Sequence, residues 1–388
     1  MITETEVKDL AIKQGVTLPR VEKDYVMGWL LWGIYNDPVL SKNLVLKGGN
    51  CLRKVYFPDT RFSDDLDFTA FRLDTKQVFH QRLNTICENI HRACGIDFDF
   101  DNTLVKTKQT PDKDCTALDG RVYFRGFAGD ASVSMRIKFD ISQFEKIVLP
   151  LQNHSILHNY SDIDACKVLI RTYSLEEVLA EKLRSWIQRT RSRDLFDVVK
   201  IVQSEAVPIS NINILSAFFQ KTIFKDIPLA GQEEMLYGPK FEGIENSWLK
   251  TVISPQSSII AAGNAISLFK DFINALFKPE ILEAAGFSQA NVSPHNYNVR
   301  SGVREAIIEA GKVRKSIRMQ YKGRERNIEP YSFRYKITQR GYGAEYFYGF
   351  DRTSGATIKS FFLHQIEGVS ILPEQYIPRW HVEFKPDK

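Results

Sequence analysis

The segment KGGNCLRKVYFPDTRFSDDLDFTAF, Lys47–Phe71, carries the pattern that predicts both the fold and the chemistry of this chain. A short apolar strand stops at Gly48 and Gly49, where the missing side chains let an anion approach the backbone N–H groups of the next helix. Sixteen residues after Gly49, Asp65 and Asp67 stand two apart on a β-like run, which puts both carboxylates on one face of the strand. Carboxylate and phosphate oxygens together are the ligands that Mg²⁺ prefers.

Either half of this pattern has a plainer interpretation when it is taken alone. Most Gly-Gly pairs are only turns, and most D-x-D runs lie on a solvated strand edge. Their combination at this distance favours a metal site, because phosphoryl transfer needs carboxylates that clamp cations beside a bound triphosphate.

The composition is that of an ordinary folded chain. Of 388 residues, 43% are apolar and 26% are charged, a balance typical of a soluble protein with two or three domains. No apolar run approaches the roughly 18–20 residues of a membrane span, and the acidic N-terminus does not resemble a secretory signal. The five cysteines are scattered: Cys51, Cys87, Cys94, Cys115 and Cys166. We therefore expect a cytoplasmic protein with free thiols, no zinc site and no membrane contact.

Positive charge is concentrated at the C-terminal end. Residues 291–388 hold 17 Lys and Arg against 10 Asp and Glu, a net charge of +7, whereas the remaining residues sum to −2. Such an excess favours a separate unit that attracts a polyanion. A solvated basic surface without a partner explains the same count equally well.

The periodicities predict an α+β chain with a mixed sheet. Helical spacing covers 20–36 and 76–94, and strand-like runs cover 121–127 and 133–141. We divide the chain into an α+β domain over 1–204, a helical region over 205–290 and a small β-rich domain over 291–388, which begins with a helix over 303–316.

Further motifs accompany the glycine and aspartate segment. They are Glu22–Tyr25 (EKDY), Leu46–Gly49 (LKGG), Leu52–Tyr56 (LRKVY), Arg61–Phe68 (RFSDDLDF), Ala180–Arg184 (AEKLR) and Arg189–Asp197 (RTRSRDLFD). In this combination the first part of the chain resembles the AbiEii/AbiGii group of nucleotidyltransferase toxins, which includes the MenT toxins. The resemblance implies a core with the polymerase-β-like nucleotidyltransferase fold.

The resemblance also implies roles for individual residues. The catalytic set is Asp65, Asp67, Lys182 and Asp194. The nucleotide-binding set is Lys47, Gly48, Gly49, Arg53 and Ser63. The metal, Mg²⁺ or Mn²⁺, is expected on Asp65 and Asp67 and, from a neighbouring strand, on Asp140. The substrate is an NTP.

Lys182 has a physical argument of its own. A capping box at Ser174 and Glu177 predicts the start of a helix, and Lys182 falls within the apolar stripe of that helix. An unpaired ammonium there is costly, so a phosphate or a carboxylate is a natural partner; a lysine that snorkels to solvent is the alternative. Asp197, one helical turn after Asp194, is expected to support the site or to pair with Arg193.

A looser set of motifs occupies the C-terminal unit. They are Ile317–Tyr321 (IRMQY), Arg324–Tyr331 (RERNIEPY), Glu345–Phe350 (EYFYGF) and Ile358–Leu363 (IKSFFL). They resemble a WYL domain, a small Sm-like β module of bacterial regulators that senses nucleic acid or a nucleotide-type ligand. The resemblance implies a ligand site at Arg326, Tyr346, Tyr348 and Lys359. Gln365 stands where such domains commonly carry a second basic residue, and many of the aromatic residues also suit a plain β core.

Together these patterns lead to two hypotheses of different classes. The first is an Mg²⁺-dependent nucleotidyltransferase toxin that transfers NMP from an NTP to RNA, in particular to a tRNA 3′ end, and so causes growth arrest or abortive infection of phage-infected cells. A cognate antitoxin is then an expected partner. The second is a WYL-type regulator that binds a ligand or nucleic acid, with the transferase site secondary or inactive.

Overall fold

The computed structural model describes residues 1–109, 116–128, 133–143, 145–204, 207–225, 227, 231–285, 303–337 and 343–384. The chain forms two compact units. The first comprises Met1–Lys182, Arg191–Ala217 and Phe241–Phe269, and the second comprises Leu183–Thr190, Phe218–Lys240 and Lys270–Lys388. The domain boundaries at 204 and 290 stay predictions.

The helices of the described residues are α1 (Glu4–Gln14), α2 (Leu18–Asn36), α3 (Leu40–Asn43), α4 (Gly48–Cys51), α5 (Lys76–Cys94), α6 (Leu175–Arg189), α7 (Ser192–Val202), α8 (Asn211–Phe224), α9 (Gln232–Leu236), α10 (Pro239–Glu242), α11 (Ile244–Thr251), α12 (Ala262–Leu276), α13 (Pro279–Ala284) and α14 (Val303–Lys312). The strands are β1 (Leu44–Lys47), β2 (Asp65–Ala70), β3 (Phe98–Gln109), β4 (Thr116–Arg125), β5 (Ser134–Ser142), β6 (Gln152–Ser155), β7 (Leu169–Thr172), β8 (Lys315–Tyr321), β9 (Arg324–Ile337), β10 (Gly343–Asp351), β11 (Thr357–Phe362) and β12 (Ile366–Gln375). Among these helices none is both long and apolar enough to cross a bilayer.

A seven-stranded sheet forms the centre of the first unit, in the order β3-β4-β5-β2-β1-β7-β6. β2 is parallel to β5 and β1 is parallel to β7, whereas the other neighbours are antiparallel. The predicted α+β class with a mixed sheet is therefore confirmed. β3 lies at the edge of the sheet, and its sequence is mostly polar. It lacks the apolar alternation by which β5 is recognisable, and the sequence did not predict it.

Helices cover one face of this sheet and leave polar side chains on the other. α2 packs on β5, and α5 packs on β3. Phe139 and Ile141 of β5 are fully buried, whereas Lys138 and Asp140, which alternate with them, are only partly buried. Because strand side chains alternate between faces, the charged residues of β5 point away from the apolar core.

The second unit contains an antiparallel five-stranded sheet in the order β11-β10-β9-β8-β12. α14 packs on it, and Ile307 of that helix shares a buried cluster with Ile317 and Phe347. The helix predicted over 303–316 was too long. Arg314 adopts a left-handed φ of 55°, which ends the helix, and β8 begins at the next residue.

Candidate active site

Four residues line up across the middle of the seven-stranded sheet. Asp67 of β2 is in register with Lys47 of β1 on one side and with Asp140 of β5 on the other. Asp140 is in turn in register with Asp119 of β4. Asp65 precedes Asp67 by two residues and shares its face of β2. The structure thus brings together three carboxylates that the sequence analysis assigned to a metal site.

The junction of β1 and α4, residues 47–49, runs close to these carboxylates. We call it the Gly48 turn. Gly48 has a left-handed φ of 75°, and a Cβ added there would lie 2.4 Å from Oδ2 of Asp67. A Cβ added at Gly49 would lie 2.8 Å from Oγ of Ser63 and 3.0 Å from Nη2 of Arg61. A side chain at either glycine would therefore displace a group of the site.

Burial and mutual repulsion raise the pKa values of Asp65 and Asp67. Burial raises the pKa of Asp67 from its ordinary value of 3.8 to about 6; Asp65 and Asp140 add to the rise, and Lys47 opposes it. Burial likewise raises the pKa of Asp65, although Lys138 opposes this. The protein's own cations therefore do not balance the negative charge, and a bound cation would offset the remainder.

Lys47 is held beside these carboxylates as a cation. Burial alone would lower its pKa, but the charge of Glu145 raises it above its usual range, with smaller contributions from Glu181 and Asp67. Nζ of Lys47 lies 3.1 Å from Oε1 of Glu145. The predicted nucleotide-binding Lys47 thus already has an acidic partner within the protein.

The site fits a divalent cation that takes most of its ligands from substrate and water. Mg²⁺ is commonly bound through one or two carboxylates together with phosphate oxygens, and Asp65 and Asp67 supply such a pair. Across the described ranges, no group of three or more His, Cys, Asp or Glu side chains is arranged to hold a metal ion. Asp140 lies beside Asp67 in the sheet, but its carboxylate accepts a hydrogen bond from Lys108. The metal role of Asp140 therefore stays a prediction.

Lys182 is buried between two carboxylates of α7. Its Nζ lies 2.7 Å from Oδ2 of Asp197 and 3.4 Å from Oδ1 of Asp194. With 6% of its surface exposed, the residue does not snorkel to solvent. Arg61 donates two hydrogen bonds of 2.7 Å to Asp197 from the other side. Burial disfavours the Asp197 carboxylate, but Arg61 and Lys182 hold its pKa below the usual range.

The sequence offered two expectations for Asp197, support of the site or a pair with Arg193. Asp197 contacts Lys182, and its arginine partner is Arg61, 136 residues away, in place of Arg193. Arg61 was overlooked as a site residue. Its place in the RFSDDLDF motif was the only signal, since a pairing over that distance leaves no trace in local periodicity.

Arg53, predicted to bind nucleotide, is engaged elsewhere. Its Nε donates a 2.6 Å hydrogen bond to Asp24, and Nη1 donates one of 2.6 Å to the carbonyl of Thr60. The guanidinium also lies 3.6 Å from the centre of the Phe62 ring. Only 5% of the surface of Arg53 is exposed, and its guanidinium links Asp24, Thr60 and Phe62. We therefore leave Arg53 out of the phosphate-binding set.

The predicted C-terminal ligand residues fall on opposite faces of the five-stranded sheet. Arg326 and Lys359 converge on the buried Asp351, at 2.6 Å and 3.0 Å. Those two cations lie on the face of the buried cluster around Phe347, while Tyr346 and Tyr348 alternate with Phe347 and point from the other face. The four side chains do not form one site.

Comparison with known proteins identifies a family and solved structures that this chain resembles. The family model described as "Nucleotidyl transferase AbiEii toxin, Type IV TA system" matches residues 29–247. Among solved structures, MenT4, a nucleotidyltransferase toxin from Mycobacterium tuberculosis, is similar with a TM-score of 0.50 and 17% identity, over 76% of this chain and 98% of that chain. That likeness supports the nucleotidyltransferase fold. An H. pylori protein provisionally assigned as a nucleotidyltransferase aligns with a TM-score of 0.41 and 16% identity, over 67% and 96%. No curated protein sequence matches the chain.

Proposed function

The chain belongs to the AbiEii family of nucleotidyltransferase toxins of type IV toxin–antitoxin systems, and from this premise we propose a more specific activity. The enzyme transfers NMP from an NTP to an RNA 3′ end, with tRNA as the leading acceptor. Mg²⁺ is its metal, and a cognate antitoxin restrains the growth arrest or abortive infection that follows.

The observation that carries the proposal is the pair of carboxylates, Asp65 and Asp67, beside the Gly48 turn. A cation bound there would supply positive charge against the triphosphate and the departing pyrophosphate. Because Gly48 and Gly49 have no Cβ, the Asp67 carboxylate and the Ser63 hydroxyl approach the backbone of this turn closely, and backbone N–H groups of such a turn suit phosphate oxygens.

The rest of the chain's contribution is orientation and fixed charge. Lys182 is held rigidly by Asp194 and Asp197, so its charge is already in place when negative charge develops on the transferred phosphate. The acceptor 3′ hydroxyl would give up its proton to the Asp65 carboxylate as its oxygen forms a bond to the α-phosphorus. The bond from that phosphorus to the oxygen that bridges to the β-phosphate breaks, and pyrophosphate leaves. The proposed RNA acceptor is supported by the resemblance of the sequence to the MenT-type toxins.

The test is incubation with each α-³²P NTP, Mg²⁺ and total bacterial RNA. We expect label on a defined RNA band with one NTP, and no label after Asp65→Asn. Asp164→Asn removes a carboxylate that is 87% exposed and is the matched control. Label on protein instead of RNA would contradict the proposed acceptor, and no label from the folded wild type with any NTP would contradict the activity.

The Gly48 turn gives a second prediction. Gly48→Ala forces a Cβ against Asp67, so we expect transfer to fall by about 100-fold through misplacement of the carboxylate. Gly95→Ala is the matched control, because Gly95 has a φ of 80° but nothing within 4 Å of an added Cβ. Both variants should lose about 1 kcal/mol of stability from the left-handed backbone. Equal activities of the two variants would contradict the role assigned to Gly48.

A further inference from the structure

Alternate residues of β4 and β5 project from the sheet face opposite the buried apolar side chains. Among them are Arg136 and Lys138 on β5 and Arg121 and Tyr123 on β4, and the same face carries Asp140 and Asp119 further along these strands. Of the first four, Arg136 is exposed and the other three are half-buried, whereas Ile137, between Arg136 and Lys138, is fully buried. We call Arg121, Tyr123, Arg136 and Lys138 the polar track.

The register of the sheet places the polar track next to the catalytic carboxylates. Lys138 is in register with Asp65 on one side and with Arg121 on the other. Neighbouring strands are about 4.8 Å apart, so Lys138 is one strand spacing from Asp65. Arg136 follows about 6.6–6.8 Å further along β5, directly opposite Tyr123. The polar track therefore begins beside Asp65, the first residue of β2, and continues along β5 beyond the end of β2.

The charges along the polar track are only partly balanced. Nε of Arg121 lies 3.3 Å from Asp119, and Nζ of Lys138 lies 3.9 Å from Asp119 and from Asp140. Arg136 makes no ion pair with any residue that the structure describes. A cation at the surface without a counter-charge is available to a phosphate group.

The pairing of Arg136 with Tyr123 adds the second feature of single-stranded nucleic-acid sites. Such sites combine cations that follow the backbone with aromatic rings on which bases stack, and stacking tolerates any base. An arginine opposite a tyrosine on adjacent strands provides both within one cross-strand pair. A solvated strand surface would need neither the ring nor the continuity with Asp65.

We propose that the polar track binds the single-stranded 3′ end of the acceptor RNA and delivers its terminal hydroxyl to Asp65. Arg136 and Lys138 contact successive phosphates, and Tyr123 stacks on a base. The inference rests on the proposed function and deepens it, because it assigns the acceptor-binding surface of the same site.

The test separates acceptor binding from nucleotide binding. With total bacterial tRNA as acceptor, we expect Arg136→Glu and Tyr123→Ala each to raise KM for RNA about 10-fold, with KM for the NTP unchanged. Tyr123→Phe keeps the ring and should behave as the wild type. Arg92→Glu is the matched control, since Arg92 is 70% exposed on α5, and thermal melting verifies that each variant is folded.

A binding measurement makes the same test without turnover. In the Asp65→Asn protein, the affinity for a fluorescein-labelled single-stranded RNA 12-mer is measured over a range of salt concentrations. Arg136→Ala should reduce the slope of log K against log salt by about 0.7, the value for one phosphate on a single strand.

The outcomes distinguish this inference from the proposed function. RNA labelling by the wild type, with KM for RNA within twofold of wild type in both Arg136→Glu and Tyr123→Ala, would overturn the polar track alone. Labelling of protein in place of RNA would overturn the RNA acceptor and the polar track together.

Discussion

Asp67→Asn is expected to abolish NMP transfer and, in the same protein, to raise the thermal stability of the metal-free enzyme. The loss of transfer, about 100-fold or more, follows from removing a charge that holds the cation against the triphosphate. The gain in stability follows from the environment of the carboxylate, whose pKa is raised by burial to about 6 against an ordinary value of 3.8.

The sign of the stability effect follows from proton linkage. The folded protein holds the Asp67 proton up to about pH 6, whereas the unfolded chain releases it near its ordinary value of 3.8. The free energy of unfolding therefore falls as the pH rises from about 4 to above 6. Asparagine removes this penalty, which is at most about 3 kcal/mol at neutral pH. The gain should be complete above pH 6 and should disappear near pH 4.

Thermal melting in EDTA across this pH range measures the effect. Asp164→Asn, which changes an exposed carboxylate, should show no pH-dependent gain. Added Mg²⁺ should then stabilise the wild type more than Asp67→Asn, because a ligand of the folded state raises its stability. A lower melting temperature for Asp67→Asn at neutral pH would contradict the argument, since it would show that Lys47 and Lys182 stabilise the charged carboxylate more than burial destabilises it.

Local sequence pattern accounted for much of the first unit. The helix predicted over 76–94 has those bounds in the structure, and Asp65 and Asp67 share one face of a strand as alternation requires. These features depend only on neighbouring residues. The edge strand β3 escaped prediction because solvent covers much of it, and polar residues satisfy an edge as well as apolar ones do.

The parts of the site that depend on distant contacts were not accessible from sequence. The register of β5 against β2, which sets Asp140 beside Asp67, is decided by packing across the whole sheet.

Of the two hydrogen bonds that define a capping box, only one is formed at the start of α6. The Ser174 hydroxyl accepts the hydrogen bond from the N–H of Glu177, whereas the Glu177 carboxylate turns to the backbone N–H groups of Val148 and Leu149.

The second large effect is expected at Asp197, as a loss of stability. Asp197→Ala leaves Arg61 and Lys182 buried with one carboxylate fewer. Removing one partner of a buried ion pair costs about 3–5 kcal/mol, mostly because the remaining charge is left without compensation. The Asp164–Lys167 pair has a similar separation of 2.6 Å but is exposed, so Asp164→Ala should cost far less stability than Asp197→Ala.

Urea unfolding of the two alanine variants measures this difference, and Asp197→Asn separates stability from catalysis. The amide keeps the shape of the carboxylate and accepts a hydrogen bond from Arg61, so the protein should stay folded below its lowered melting temperature. Lys182, however, loses its nearest charged partner, and we expect kcat to fall while KM for the NTP changes little. A loss below about 1 kcal/mol for Asp197→Ala would mean that water enters and solvates Arg61 and Lys182. Lys182 would then not be held in place ahead of the reaction, and its proposed role as a fixed charge would fail with it.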